Sequence, residues 1–308
     1  MRATTGEQYE LSLGDVRADI TQVGAGIRGL SVAGVQLTEP WDEFAPRPFF
    51  AGATLVPWPN RIRGGRWTLD DADQQLDVTE PELGHALHGL LADRPFDVES
   101  HDATSITLAA TVFPIRGYFF QLDYSVRYEL TATGIRVTQR VSNVGRAAAP
   151  VAFGAHPFLR IGDAPVEQLT VESSARSFLE QDALQIPIGS ASTAGTDRDL
   201  RTGRAVGELY LDDTFVDLDL ADGCHRQRLT APDGGILELW QDPDFDHVHV
   251  FVTRVFPGPD GLTTAIAIAP MTAPPDAFNS GIGVRWLEPA DSWSASWGID
   301  YRSAAEVH

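Results

Sequence analysis

In residues 120–130, FQLDYSVRYEL, every second position is apolar: Phe120, Leu122, Tyr124, Val126, Tyr128 and Leu130 alternate with polar neighbours. Side chains on a strand point alternately to opposite faces, so this period fits a half-buried strand rather than a helix. TATG at 131–134 supplies a turn, and IRVTQRV at 135–141 resumes the alternation. The two segments therefore read as an antiparallel hairpin. Shorter runs of the same character occur at 105–113, 214–220, 228–240 and 247–252, and no stretch carries a helical apolar stripe over three turns.

Twenty-eight glycines and twenty prolines break up these runs at intervals typical of sandwiches. The segment 186–209, rich in Ser, Thr, Gly and Asp, reads as a long connection within one unit, because the strand pattern resumes after it unchanged. The expectation is an all-β chain, a large antiparallel β-sandwich forming a single domain over residues 1–308.

Charge narrows the partners. The formal net charge is −20, and all 23 basic residues are arginine. Such a balance repels phosphate backbones and anionic lipid surfaces, which argues against nucleic acid or membrane and favours neutral ligands. With one cysteine, Cys224, no intramolecular disulfide can form. No signal-like start and no apolar stretch approaching 18 residues is present, so the expected location is cytoplasmic.

Four short stretches could carry chemistry. In PWPNRIRGGRW (57–67), Asn60 and Arg61 follow two prolines, and an arginine at a rigid corner can aim a forked donor set at hydroxyls. The bland alternative is a surface arginine. In HALHGL (85–90), His88 precedes a glycine that permits close approach. Pro81 and Gly84 argue against a helical pair of metal-binding histidines, and no metal is expected. In VAFGAHPFLRIG (151–162), Pro157 forces His156 into an extended conformation, where it could exchange a proton or simply be a satisfied core histidine. In YLDDTFVDL (210–218), Asp212 and Asp213 lie just ahead of a strand and could bind hydroxyls or merely face solvent. The tryptophans at 286, 293 and 297 could serve as sugar platforms, though core positions are commoner for them.

In order along the chain, Asn60-Arg61-Ile62, Leu87-His88-Gly89, Ala155-His156-Pro157-Phe158, Leu211-Asp212-Asp213-Thr214-Phe215 and Pro275-Asp276-Ala277 with Asn279 resemble the aldose 1-epimerase (mutarotase) family. The closing LEPADSWSASWGI is similar to the tail of its bacterial branch. The resemblance implies a galactose-mutarotase-like supersandwich that interconverts the α and β anomers of a free aldose without a cofactor. It implies a monosaccharide partner and a monomer or homodimer. It gives His156 the role of acid toward the ring oxygen, Arg61, His88 and Asn60 contacts with the sugar, and Asp212 rather than Asp213 the binding of hydroxyls.

The family's base is a glutamate before Pro-Met-Thr, and alignment on PMTAPPDAFN puts Ala269 at its position. Three readings of that departure are open: a natural loss that leaves catalysis weak or silent, a glutamate-to-alanine change made to trap a sugar, or a substitute. Glu288 in WLEP is the first name to test as a substitute, then Asp212 or a bound water.

Overall fold

The computed structural model describes residues 1–259 and 261–306. The alternating hairpin forms the centre of a nine-stranded sheet, with Leu122–Leu130 and Gly134–Asn143 paired antiparallel and flanked by Ser105–Val112 on one side and Ser292–Arg302 on the other. A second, eight-stranded sheet runs from Pro187–Ser192 through Ser177–Gln181, Asp212–Val216, His247–Gly258, Gly261–Met271 and Gly154–Ala155 to Thr54–Leu55, with Phe158–Leu159 also pairing along Gly261–Met271. A four-stranded N-terminal sheet spans residues 8–36, a region not singled out above although Tyr9, Leu11 and Leu13, then Val16, Ala18 and Ile20, alternate with polar residues.

The two large sheets share one apolar core. Leu122, Tyr124, Val126 and Tyr128 of the first meet in it with Val248, Val250, Ile266 and Ile268 of the second. The expected large antiparallel β-sandwich is what forms, and the physical reason is the period of two: it gives each strand one face to bury.

Three expectations need correction. Residues 186–209 are not merely a connection: Pro187–Ser192 is an edge strand, and Arg204–Ala205 pairs with Thr170–Ser173. Serine and glycine are tolerated there because Pro187–Ser192 has neighbouring sheet on one side only and most of its residues face solvent. Residues 228–240 are two strands, His225–Thr230 and Ile236–Gln241, folded about the Pro-Asp-Gly-Gly turn. The strand read at 214–220 runs instead from Asp212 to Val216. Trp293 and Trp297 are core residues, while Trp286 is 51% exposed.

Candidate active site

Arg61 opens a two-residue strand that pairs with Ala86–Leu87, which brings the PWPNRI and HALHGL segments side by side. Asn60 ahead of it takes a left-handed backbone conformation, φ 57°, one that asparagine accepts more readily than most residues. Its side-chain oxygen turns back to accept the Arg61 backbone N–H at 2.9 Å. The guanidinium is then fixed by Glu80: Nε donates to Oε2 and the terminal nitrogen Nη2 to Oε1, each at 2.9 Å. Both groups are largely buried, so this is a desolvated, two-point pair that points the remaining donors of the fork one way. Asp276 and Asn279 of the PPDAFN corner serve this segment structurally. The Asp276 carboxylate accepts the Arg63 N–H, and the Asn279 amide donates to the Arg66 carbonyl.

His88 also has a positive φ, 60°. A side chain at Gly89 would strike the Val56 carbonyl oxygen at 2.1 Å, so the glycine is there to let two backbones touch. The His88 Nδ1 accepts the Asn60 N–H at 3.1 Å, which leaves the ring proton on Nε2. Burial, with His156 and Arg61 nearby, holds His88 well below the usual histidine range, and it is neutral. The other histidine of this motif, His85, is structural: its ring nitrogens engage the Gly64 N–H and the Leu184 carbonyl.

His156 lies between two short strands and is tied at both backbone polar atoms, its N–H to the Ala53 carbonyl and its carbonyl to the Gly52 N–H. Its ring stacks on Phe158 and meets His88 edge-on, with centroids 5.3 Å apart in both cases. It is 6% exposed, and Nδ1 is buried without a hydrogen-bond partner. Burial, reinforced by the neighbouring His249, lowers it to about 4.

Asp212 and Asp213 are the first two residues of their strand, so their side chains leave on opposite faces. Asp213 pairs with Arg198 at 2.9 Å, away from the histidines. Asp212 faces His249, a residue that the motif reading passed over: His249 Nε2 to Asp212 Oδ1 is 2.8 Å, and His249 Nδ1 to Thr214 Oγ1 is 2.9 Å. Burial works to raise the Asp212 carboxyl, but the His249 hydrogen bond, with the charges of His249, Arg61 and His156, outweighs it and holds the group below the ordinary carboxylate range. The alternation of HVHVFV was the available signal, since it puts positions 247, 249 and 251 on one face.

These side chains converge. Asn60, Arg61, Glu80, His88, His156, Asp212 and His249 line one pocket of about 140 Å³, walled by Phe49, Phe50 and Phe251. Phe49 and Phe50 both have left-handed backbone, φ 46° and 55°, a strained choice for bulky residues that the ties around His156 hold in place. Ala269 is the in-register partner of His249 and is 2% exposed, its methyl on the His249 face of the sheet. It continues an alternation, AIAIA, whose isoleucines enter the main core and whose alanines keep the opposite face shallow. Glu288 is exposed and lies outside the pocket. A larger open groove of about 840 Å³, lined by Arg63, Arg66 and Arg116, has each arginine bonded to a neighbour. Among the described residues no group of three or more His, Cys, Asp or Glu side chains is disposed to hold a metal, and no helix is long and apolar enough to cross a membrane.

The sequence profile described as Aldose 1-epimerase matches residues 7–299. The uncharacterized protein YihR of Escherichia coli is 31% identical over 286 residues, covering 92% of this chain and 90% of that protein. Among solved structures, the GalM/aldose epimerase homologue from C. elegans superposes with a TM-score of 0.85 at 18% identity, over 96% of this chain and 99% of that one. The galactose 1-epimerase from Lactobacillus acidophilus gives 0.79 at 18% identity, over 96% and 93%.

Proposed function

The chain belongs to the aldose 1-epimerase family, and on that premise we propose that it binds a free aldose and interconverts its α and β anomers by ring opening, at a rate held down by Ala269. The observation that carries this reading is the convergence of Arg61, His88, His156 and Asp212, from four separate stretches of chain, on one pocket. Ring opening needs one proton delivered to the ring oxygen and one removed from the anomeric hydroxyl. His156 is the acid in this reading. Its ring lines the pocket while Nδ1 is sealed from it, so the imidazole meets the sugar through Nε2. Arg61 and the Nε2–H of His88 hold hydroxyls, Asn60 orients Arg61, and Asp212 accepts from the sugar.

The methyl of Ala269 handicaps the reaction twice. It removes the carboxylate that the family resemblance places there. It also removes a negative charge that would help His156 keep a proton, and at about 4 the imidazole is neutral near pH 7. A positioned acid or base is worth about 10²–10⁴ in rate, or roughly 3–5 kcal/mol of barrier. Exchange spectroscopy or polarimetry on α-glucose and α-galactose tests the assignment: Ala269→Glu should raise the rate by about 10²-fold or more. No gain on any aldose would sink the role given to position 269.

A second reading, a sugar-binding protein without catalysis, is favoured by the neutral state of His156. It expects saturable binding with no faster anomer exchange, binding lost in Arg61→Ala or Asp212→Ala, and His156→Ala nearly neutral for affinity.

A further inference from the structure

Two carboxylates line the pocket, and they are differently engaged. Both oxygens of Glu80 accept from Arg61. Asp212 is bound at one oxygen only, Oδ1, by His249. Its Oδ2 stands 3.9 Å from the Arg61 guanidinium, beyond hydrogen-bond reach. Because Glu80 already takes up the Arg61 fork, Arg61 does not sequester Asp212. Behind Asp212 runs a directional relay. The Asp212 carboxylate can only accept, so the His249 ring proton sits on Nε2, aimed at it, and Nδ1 of the neutral imidazole accepts from the buried Thr214 hydroxyl.

The relay stands beside the altered position. His249 and Ala269 are cross-strand partners, and such side chains begin about 5 Å apart on the same face. A glutamate at 269 would compete with Asp212 for the His249 Nε2–H.

We propose that Asp212, positioned by the Thr214–His249 relay, takes the anomeric hydroxyl proton in this chain, the task that Ala269 cannot perform. The proposal rests on the epimerase reading above. In the step, the O1–H bond breaks, its proton goes to Asp212 Oδ2 and its electron pair forms the C1=O double bond. The C1–O5 bond breaks, its pair goes to O5, and O5 takes a proton from the imidazolium of His156, which acquires it from solvent. Closure on the opposite face of C1 returns both protons, so the enzyme ends as it began. Asp212 is the catalytic residue and His249 its positioning residue.

Steady-state anomer exchange with α-galactose and α-glucose, from pH 4 to 8, tests this on the full chain. Asp212→Asn, which keeps shape and hydroxyl contacts, should lower kcat by about 10²-fold while KM moves by no more than about threefold. His249→Leu should lower kcat and shift the acidic limb of the profile upward, because Asp212 loses the bond that keeps it ionised. His249→Gln retains a donor at the Nε2 position and should restore most of both. In the Ala269→Glu background, His249→Leu should cost much less than in the native chain. A native chain that accelerates exchange while Asp212→Asn raises KM and leaves kcat intact overturns this proposal alone. An unmoved pH profile in His249→Leu also overturns it. Saturable sugar binding with no acceleration by the native chain overturns the epimerase reading and the proposal together.

Discussion

The hairpin formed by Leu122–Leu130 and Gly134–Asn143 and the hairpin formed by His247–Gly258 and Gly261–Met271 are both antiparallel and central to their sheets. In the first, burial alternates residue by residue, with Asp123, Glu129, Arg136 and Arg140 exposed on the outer face. In the second, residues 247–250 and 264–271 are buried on both faces. One of those faces enters the common core, and the other carries His249 and Ala269. A strand with one wet face can use its polar residues for solubility. A strand covered on both faces must satisfy every polar group it carries, so polar side chains there are partnered and positioned. The difference teaches where chemistry can be built: on the sheet whose second face is covered by loops rather than by water.

The largest expected effect breaks the comparison by placing the same carboxylate in both hairpins. Val137→Glu, in the core of the first, should destabilise the protein by about 3–5 kcal/mol or leave it unfolded, since nothing there pairs the charge. Ala269→Glu should remain folded, with His249 in reach on the neighbouring strand. Chemical denaturation of the two variants decides. Similar losses would mean that the second hairpin is as intolerant as the first.

A smaller effect separates the site from the scaffold by pH. His156 and His88 are both held below their unfolded values, so the neutral forms favour folding. Their contribution is complete above about pH 6.5 and falls away below it, the His156 part being lost as pH falls through about 4. Stability should therefore fall over that window. Exchange activity should rise by up to about tenfold per unit between pH 7 and 5, because the imidazolium of His156 becomes more abundant. Thermal melts and exchange rates over the same pH series, with His156→Gln flattening the activity trend, check the opposite signs. The smallest effect concerns the two faces of one strand: Asp213→Asn should cost about 1 kcal/mol through its Arg198 pair and leave sugar affinity unchanged. Weakened sugar binding in Asp213→Asn would show that the two aspartates are not segregated by face.

Much of the scaffold was legible because its signal is local. Leu122 to Leu130 announces a strand in nine residues, and Pro157 after His156 excludes helix. The five ordered motifs located Arg61, His88, His156 and Asp212, which do share a pocket. Glu80 escaped attention because a lone glutamate in a turn looks solvated, yet it is the partner of Arg61. His249 escaped because HVHVFV reads first as a strand. Its importance comes from Asp212, 37 residues away, and Thr214, 35 away. The strand at 187–192 was missed because an edge strand has little apolar content to reveal it.

The sequence by itself determined that this chain would build sheets, that its strongly alternating stretches such as 122–130 would be strands, and that position 269 would carry a methyl. Those follow from side-chain alternation and from covalent identity, which need no partner to be read. Only the tertiary structure decided that His249 and Ala269 face each other, that Glu80 occupies Arg61 and that Asp212 keeps an oxygen free. Strand register and burial set these relations between residues far apart in the chain, and no local pattern encodes them.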